Sequence, residues 1–152
     1  LLGGSALSLL GSSRITVDVD LDLELPPEDE AQLEAMINAL AQEMRLDVEI
    51  VPLAEFAPLA PDAEKRHRFL GSYGPIDVYI FDLYSIALSK IARGFESDLE
   101  DVIFLLKREL IHVDTLRSAF VSALPNARRV DIDPSEFQAY FDELMIRLGA
   151  LP

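Results

Sequence analysis

Asp18-Val19-Asp20 lies near the start of the chain, inside a stretch that alternates acids with apolar residues from Val17 to Leu25. On a strand, Asp18, Asp20, Asp22 and Glu24 share one face, and Val17, Val19, Leu21, Leu23 and Leu25 share the other. Successive carboxylates on the acidic face stand about 7 Å apart and repel one another, because like charges at neighbouring positions are unfavourable. A wet strand face usually mixes Thr, Ser and Lys with its acids. Solvation is one reading of this unbroken acidic row. The other is that Asp18 and Asp20 clamp one or two divalent cations from one side. Hard oxygen ligands suit Mg²⁺ or Mn²⁺. Two such ions about 4 Å apart serve in-line displacement at phosphorus. Asp22 and Glu24 read as solvated.

Upstream, Gly3-Gly4-Ser5 is a tight turn, and Ser5 to Leu10 can form a short helix after it. Backbone N–H groups with no side chain in the way, at a helix start, favour a phosphate. The strand carrying the acids runs from Arg14 to Leu25 and is ended by Pro26-Pro27. Glu28 to Leu46 reads as an amphipathic helix with Leu33, Met36, Ile37, Leu40 and Met44 on one face. Asp47 to Val51 is a short strand, and Pro52 to Asp62 is a proline-rich loop. Arg68 to Phe81 holds one or two strands around a turn at Gly71 to Pro75, with Ile76 to Ile80 the clearest.

The second half reads as helices. Asp82 can cap a helix to Arg93 that Gly94 stops. Ser97-Asp98-Leu99-Glu100 has the capping-box form and opens a helix to about Leu110. Residues 114–124 read as another. Asp133-Pro134-Ser135-Glu136 opens the last, with Phe137, Phe141, Leu144 and Leu148 as its buried face. The expectation is a single α+β domain over 1–152, sheet-rich to about residue 82 and helical from about 83.

The chain has 152 residues, half of them hydrophobic, enough for one domain with a core. With no cysteine, a disulfide framework, a thiolate metal site and Cys–His catalysis are all excluded. His67 and His112 are too few for a histidine-rich metal site. No apolar run reaches transmembrane length and no signal peptide is visible, so a cytoplasmic protein with no membrane partner is expected. The first residue is Leu1 and not Met, which leaves room for a segment upstream. The net charge of −14 argues against a broad nucleic-acid surface. It leaves local basic spots: Lys65, Arg66 and Arg68; Lys90 and Arg93; Lys107 and Arg108; Arg128 and Arg129.

Taken together, the Gly3-Gly4-Ser5 turn and the Asp18-Val19-Asp20 strand resemble the signature of the polymerase-beta-like nucleotidyltransferase superfamily. The fuller form, with Gly11, Arg14 and Thr16, resembles the minimal nucleotidyltransferases of bacterial toxin–antitoxin and abortive-infection systems. A second block, DLYSIALSKIARGFESDLEDV from Asp82 to Val102, fits the same branch through Lys90, Arg93, Asp98 and Asp101. The two blocks cover residues 3–25 and 76–102, and the resemblance does not reach Leu110 to Pro152.

The resemblance implies a nucleotidyltransferase fold with a small mixed sheet. It makes Asp18 and Asp20 ligands of Mg²⁺ or Mn²⁺, with a third carboxylate from a neighbouring strand. Asp77 is the first candidate for that carboxylate, with Asp47 and Glu49 as alternatives. Gly3, Gly4 and Ser5 would hold the phosphates of a nucleoside triphosphate, beside Arg14 and Thr16. Lys90 would contact nucleotide phosphates, together with Arg93. The acceptor would be a tRNA end or a protein hydroxyl, and a cognate antitoxin a partner.

Each residue has a plainer reading beside this one. Asp77 can be a wet strand position and Lys90 a solvated helix lysine. Asp98 suits a first helical turn, Asp101 can pair with Lys90 or Arg93, and Arg14 can neutralise the acidic strand. Arg108 and His112 loosely resemble the Arg–His pair of small RNases, at a spacing short for that motif. The rival function is a catalytically degenerate member acting as a protein-interaction module.

Overall fold

The computed structural model describes residues 1–149 and has an α+β architecture. The chain divides into two compact units. The first is Leu1–Pro52 with Phe69–Ile80; the second is Leu53–Arg68 with Phe81 onward. The boundary expected near residue 82 falls close to one of three crossings between them. Among the described residues, no helix is long and apolar enough to cross a membrane.

In the first unit, α1 (Gly3–Leu9) leads to β1 (Asp18–Leu21), and α2 (Pro27–Met44) leads to β2 (Asp47–Ile50). β1 and β2 pair in parallel. β3 (Arg68–Tyr73), which enters this unit from Phe69, and β4 (Ile76–Ile80) form a hairpin across Gly74-Pro75, with Gly74 at φ +64°. The strand expected from Arg14 to Leu25 shortens to four residues. Only those find ladder partners, and the alternation continues upstream unburied, with Ile15 89% and Val17 74% exposed. In α2, Ala41 is buried and Leu33 and Ile37 half-buried, whereas Met36, Leu40 and Met44 face solvent. Five apolar positions span more than one i, i+4 row, and the row Leu33–Ile37–Ala41 is the one that packs inward.

The second unit is built on helices. After the short α3 (Leu53–Phe56) come α4 (Leu83–Arg93), α5 (Glu96–Lys107), α6 (Val113–Ala123) and α7 (Pro134–Gly149). Ile86, Leu88 and Ile91 of α4, Leu99, Val102 and Leu105 of α5, and Leu116 of α6 fill its core. Phe120 stacks on Phe141 with centroids 4.0 Å apart and meets Phe137 edge-on at 4.7 Å.

Two of the expected helix starts are present. Asp82 Oδ2 accepts from Ser85 N at 3.0 Å, and Asp133 Oδ1 accepts from Ser135 N at 2.7 Å. Gly94 ends α4 at φ +67°, where a Cβ would overlap the Tyr140 ring of α7. The capping box expected at Ser97 is displaced: α5 begins at Glu96, with Phe95 in the cap position and no side-chain cap bond.

Candidate functional site

The Gly-Gly turn and the Asp-x-Asp strand are packed directly on one another. Leu2 N–H donates to Asp20 O at 3.0 Å, so the residue before the glycines runs beside β1. Gly3 sits at φ +52°, and a Cβ there would overlap Asp20 Oδ2. At Gly4 a Cβ would lie 2.8 Å from Thr16 Oγ1 and 3.5 Å from an Arg14 guanidinium nitrogen. Close approach to the Asp20 and Thr16 side chains favours glycine at both positions, and at Gly3 a left-handed backbone favours it as well. Gly3, Gly4, Arg14, Thr16 and Asp20 are thereby gathered in one place.

Ser5 Oγ donates to Leu2 O at 2.9 Å, and Thr16 Oγ1 donates to Asp18 O at 3.3 Å. The intrahelical ladder of α1 opens with Ala6 N donating to Leu2 O. The N–H groups of Gly3, Gly4 and Ser5 precede it and have no acceptor within the helix.

The β1–β2 register sets Asp18 opposite Asp47 and Asp20 opposite Glu49. Register partners on neighbouring strands project to one face about 4.8 Å apart, so four carboxylates share that face. Asp18, Asp47 and Glu49 are exposed and Asp20 is half-buried.

Asp77 lies elsewhere, on β4, exposed, its Oδ1 accepting from Ser72 Oγ at 2.5 Å. Leu1 N donates to Tyr79 O at 2.7 Å. Leu1-Leu2 thus separates β4 from β1, which puts Asp77's strand about two strand spacings, or ~10 Å, from the Asp-x-Asp motif. Among the described residues, no three His, Asp or Glu side chains are grouped to hold a metal ion. The expected convergence of Asp18, Asp20 and Asp77 is therefore not found, and the carboxylates beside Asp18 and Asp20 are Asp47 and Glu49.

The second block of the sequence forms a buried charge cluster in the second unit. Lys90 is 2% exposed, with Nζ 2.7 Å from Asp101 Oδ2 and 3.0 Å from Asp98 Oδ1. Arg93 Nη2 reaches Asp98 Oδ1 at 2.7 Å. An ammonium enclosed in this way is committed to its two carboxylates, since a buried lysine without them would carry a heavy desolvation penalty. Direct contact with nucleotide phosphates, expected of Lys90, gives way to this structural role. Arg93, with its side chain 54% exposed, still reaches solvent.

One arrangement was hidden in the sequence. Arg66 forms a fork on Asp82, Nε to Oδ1 at 2.8 Å and Nη2 to Oδ2 at 2.9 Å. Asp82 also accepts from Ser85 Oγ at 2.8 Å, and it is 1% exposed. The helix-start signal marked Asp82, and the basic run marked Arg66, but no spacing rule joins residues 16 apart.

No curated protein and no solved structure matches the chain. One family does, described as "Nucleotidyltransferase of unknown function (DUF6036)", over residues 1–142. The match includes the Gly-Gly turn, the Asp-x-Asp strand and the buried Lys90 cluster. The chain belongs to DUF6036, a family of nucleotidyltransferases of unknown function.

Proposed function

We propose that this protein is a metal-dependent nucleotidyltransferase that uses Mg²⁺ or Mn²⁺ and moves a nucleotidyl group from a nucleoside triphosphate to a hydroxyl of tRNA or protein. The observation that carries this reading is the interlock of Gly3 with Asp20 and of Gly4 with Thr16 and Arg14. It joins a phosphate-type turn to a pair of hard-oxygen ligands.

The donor set fits a divalent cation. Mg²⁺ is commonly held by one or two carboxylates, with waters and substrate phosphates completing its shell. Asp18 and Asp20 supply two, and Asp47 and Glu49 stand in register beside them. When bound, the cation would lower the pKa of the acceptor hydroxyl and steady charge on the triphosphate. The N–H groups of Gly3, Gly4 and Ser5 would orient the phosphates, with Arg14 beside them as a fixed positive charge. Asp77 stays a proposed third ligand only if β4 shifts toward β1; Asp47 or Glu49 serves without such a movement.

The setting we propose is a cytoplasmic toxin–antitoxin or abortive-infection system. The test is incubation with labelled nucleoside triphosphates, Mg²⁺ or Mn²⁺, and total tRNA or lysate. Labelled acceptor should form, and Asp20→Ala should abolish it by removing a positioned charge. Absence of both transfer and metal-dependent triphosphate binding would leave the interaction-module reading.

A further inference from the structure

A cleft of about 340 Å³ lies wholly within the second unit. Its lining includes Lys65, Arg66, His67, Arg68, Tyr84 and Leu110. Asp82 also contributes to the wall, and its carboxylate is taken up by the Arg66 fork and by Ser85. Three cations and an imidazole on consecutive residues thus line the cleft with one carboxylate, Asp82, already paired with Arg66, while Asp62 outside the lining pairs with Lys65, in a chain of net charge −14.

The cations are held in place. Lys65 Nζ is 2.7 Å from Asp62 Oδ1. Arg66 also donates Nη1–H to Pro61 O at 2.8 Å, and its Cζ stands 5.5 Å from the Tyr84 ring centre. Arg68 donates one Nη2–H to Leu110 O at 3.1 Å, and a guanidinium has five N–H groups to give. His67 packs its ring on Phe81, centroids 4.3 Å apart. Its Nε2 is buried with no hydrogen-bond partner among the described residues. A buried ring nitrogen without a partner is costly, and a ligand oxygen that reaches it would supply one.

We propose that this cleft binds the phosphate group of a small ligand, with Arg68 and Lys65 supplying charge and His67 Nε2–H donating to a phosphate oxygen. Forked guanidinium donors suit phosphate geometry, and the volume suits a phosphorylated metabolite or a mononucleotide. The proposal is independent of nucleotidyl transfer at β1.

The experiment follows the His67 ring resonances by NMR as inorganic phosphate is added to the full chain. Parallel titrations use adenosine monophosphate, and chloride at matched ionic strength. A saturable shift with phosphate and none with chloride is expected. Arg68→Gln should raise the dissociation constant roughly tenfold, the loss of one charge-assisted contact. Lys65→Gln, altering an exposed side chain, should weaken binding by a smaller factor and gives a reading even if Arg68→Gln does not fold. Tighter binding of adenosine monophosphate would assign the phosphate to a nucleotide, and equal or weaker binding to free phosphate. No saturable shift with either ligand, a shift that chloride reproduces, or binding indifferent to both substitutions would overturn the proposal. Asp20→Ala should leave phosphate binding intact, which separates this site from nucleotidyl transfer.

Discussion

Gly3 shows how much one missing side chain can decide. Its φ of +52° and the overlap that a Cβ would make with Asp20 Oδ2 are separate obstacles to any other residue. Gly3→Ala should cost about 1–3 kcal/mol, from the left-handed backbone and from displacement of a packed neighbour. In an Asp20→Ala background the second part disappears, so the same substitution should cost less. Urea unfolding of the parent, both single variants and the double variant measures that coupling, and strict additivity would refute the packing described. At this scale the sequence was informative. Gly3, Gly4, Thr16 and Asp20 could be picked out by type and spacing, and they meet in space. Asp77 could not be judged, because a carboxylate's distance from another strand depends on what lies between the strands. Here Leu1-Leu2 does.

Helix boundaries were legible wherever a single residue sets them. Asp82, Gly94 and Asp133 do so through local hydrogen bonds or a left-handed turn. Ser97 did not, since the chain entered α5 two residues earlier, with Phe95 in the cap position. The partner of Lys90 was legible only as one option among several, because burial is decided by packing and not by spacing. Lys90→Ala would leave Asp98 and Asp101 buried with too little positive charge, at a cost of about 3–5 kcal/mol. A urea midpoint close to the parent's would contradict the buried cluster. Asp133 gives a test in pH. The backbone N–H of Ser135, and then that of Glu136, hold its carboxyl below the ordinary carboxylate range. Its folded pKa is therefore the lower one, so its stabilisation is present above the unfolded value and is lost as pH falls through the folded value. Asp133→Asn keeps a capping oxygen but does not titrate. The gap in urea midpoint between parent and variant should therefore close as pH falls from about 6 to about 3.

The whole molecule carries its excess negative charge partly as a face of four carboxylates on β1 and β2. A divalent cation that binds only the folded chain must stabilise it, by about 2.7 kcal/mol at a hundredfold excess over its dissociation constant. Melting should rise with Mn²⁺ or Mg²⁺, and Asp18→Asn with Asp20→Asn should remove the rise; equal shifts in parent and double variant would move the site elsewhere. At this scale the sequence reading was coarsest. Strands before helices suggested a division near residue 82, whereas the chain passes between its units after Pro52, after Arg68 and after Ile80. Hydrophobic periodicity reports which face of an element is buried, not which unit buries it. That threefold passage bears on how such a gene could be cut or recombined. A break at any one point leaves at least one unit short of a segment. A fragment starting at residue 83, for instance, lacks both Arg66 and the Asp82 it grips. A contiguous piece that carries the whole second unit, from Leu53 onward, necessarily takes the Phe69–Ile80 segment of the first unit with it, so the helical unit cannot be passed on without part of its neighbour.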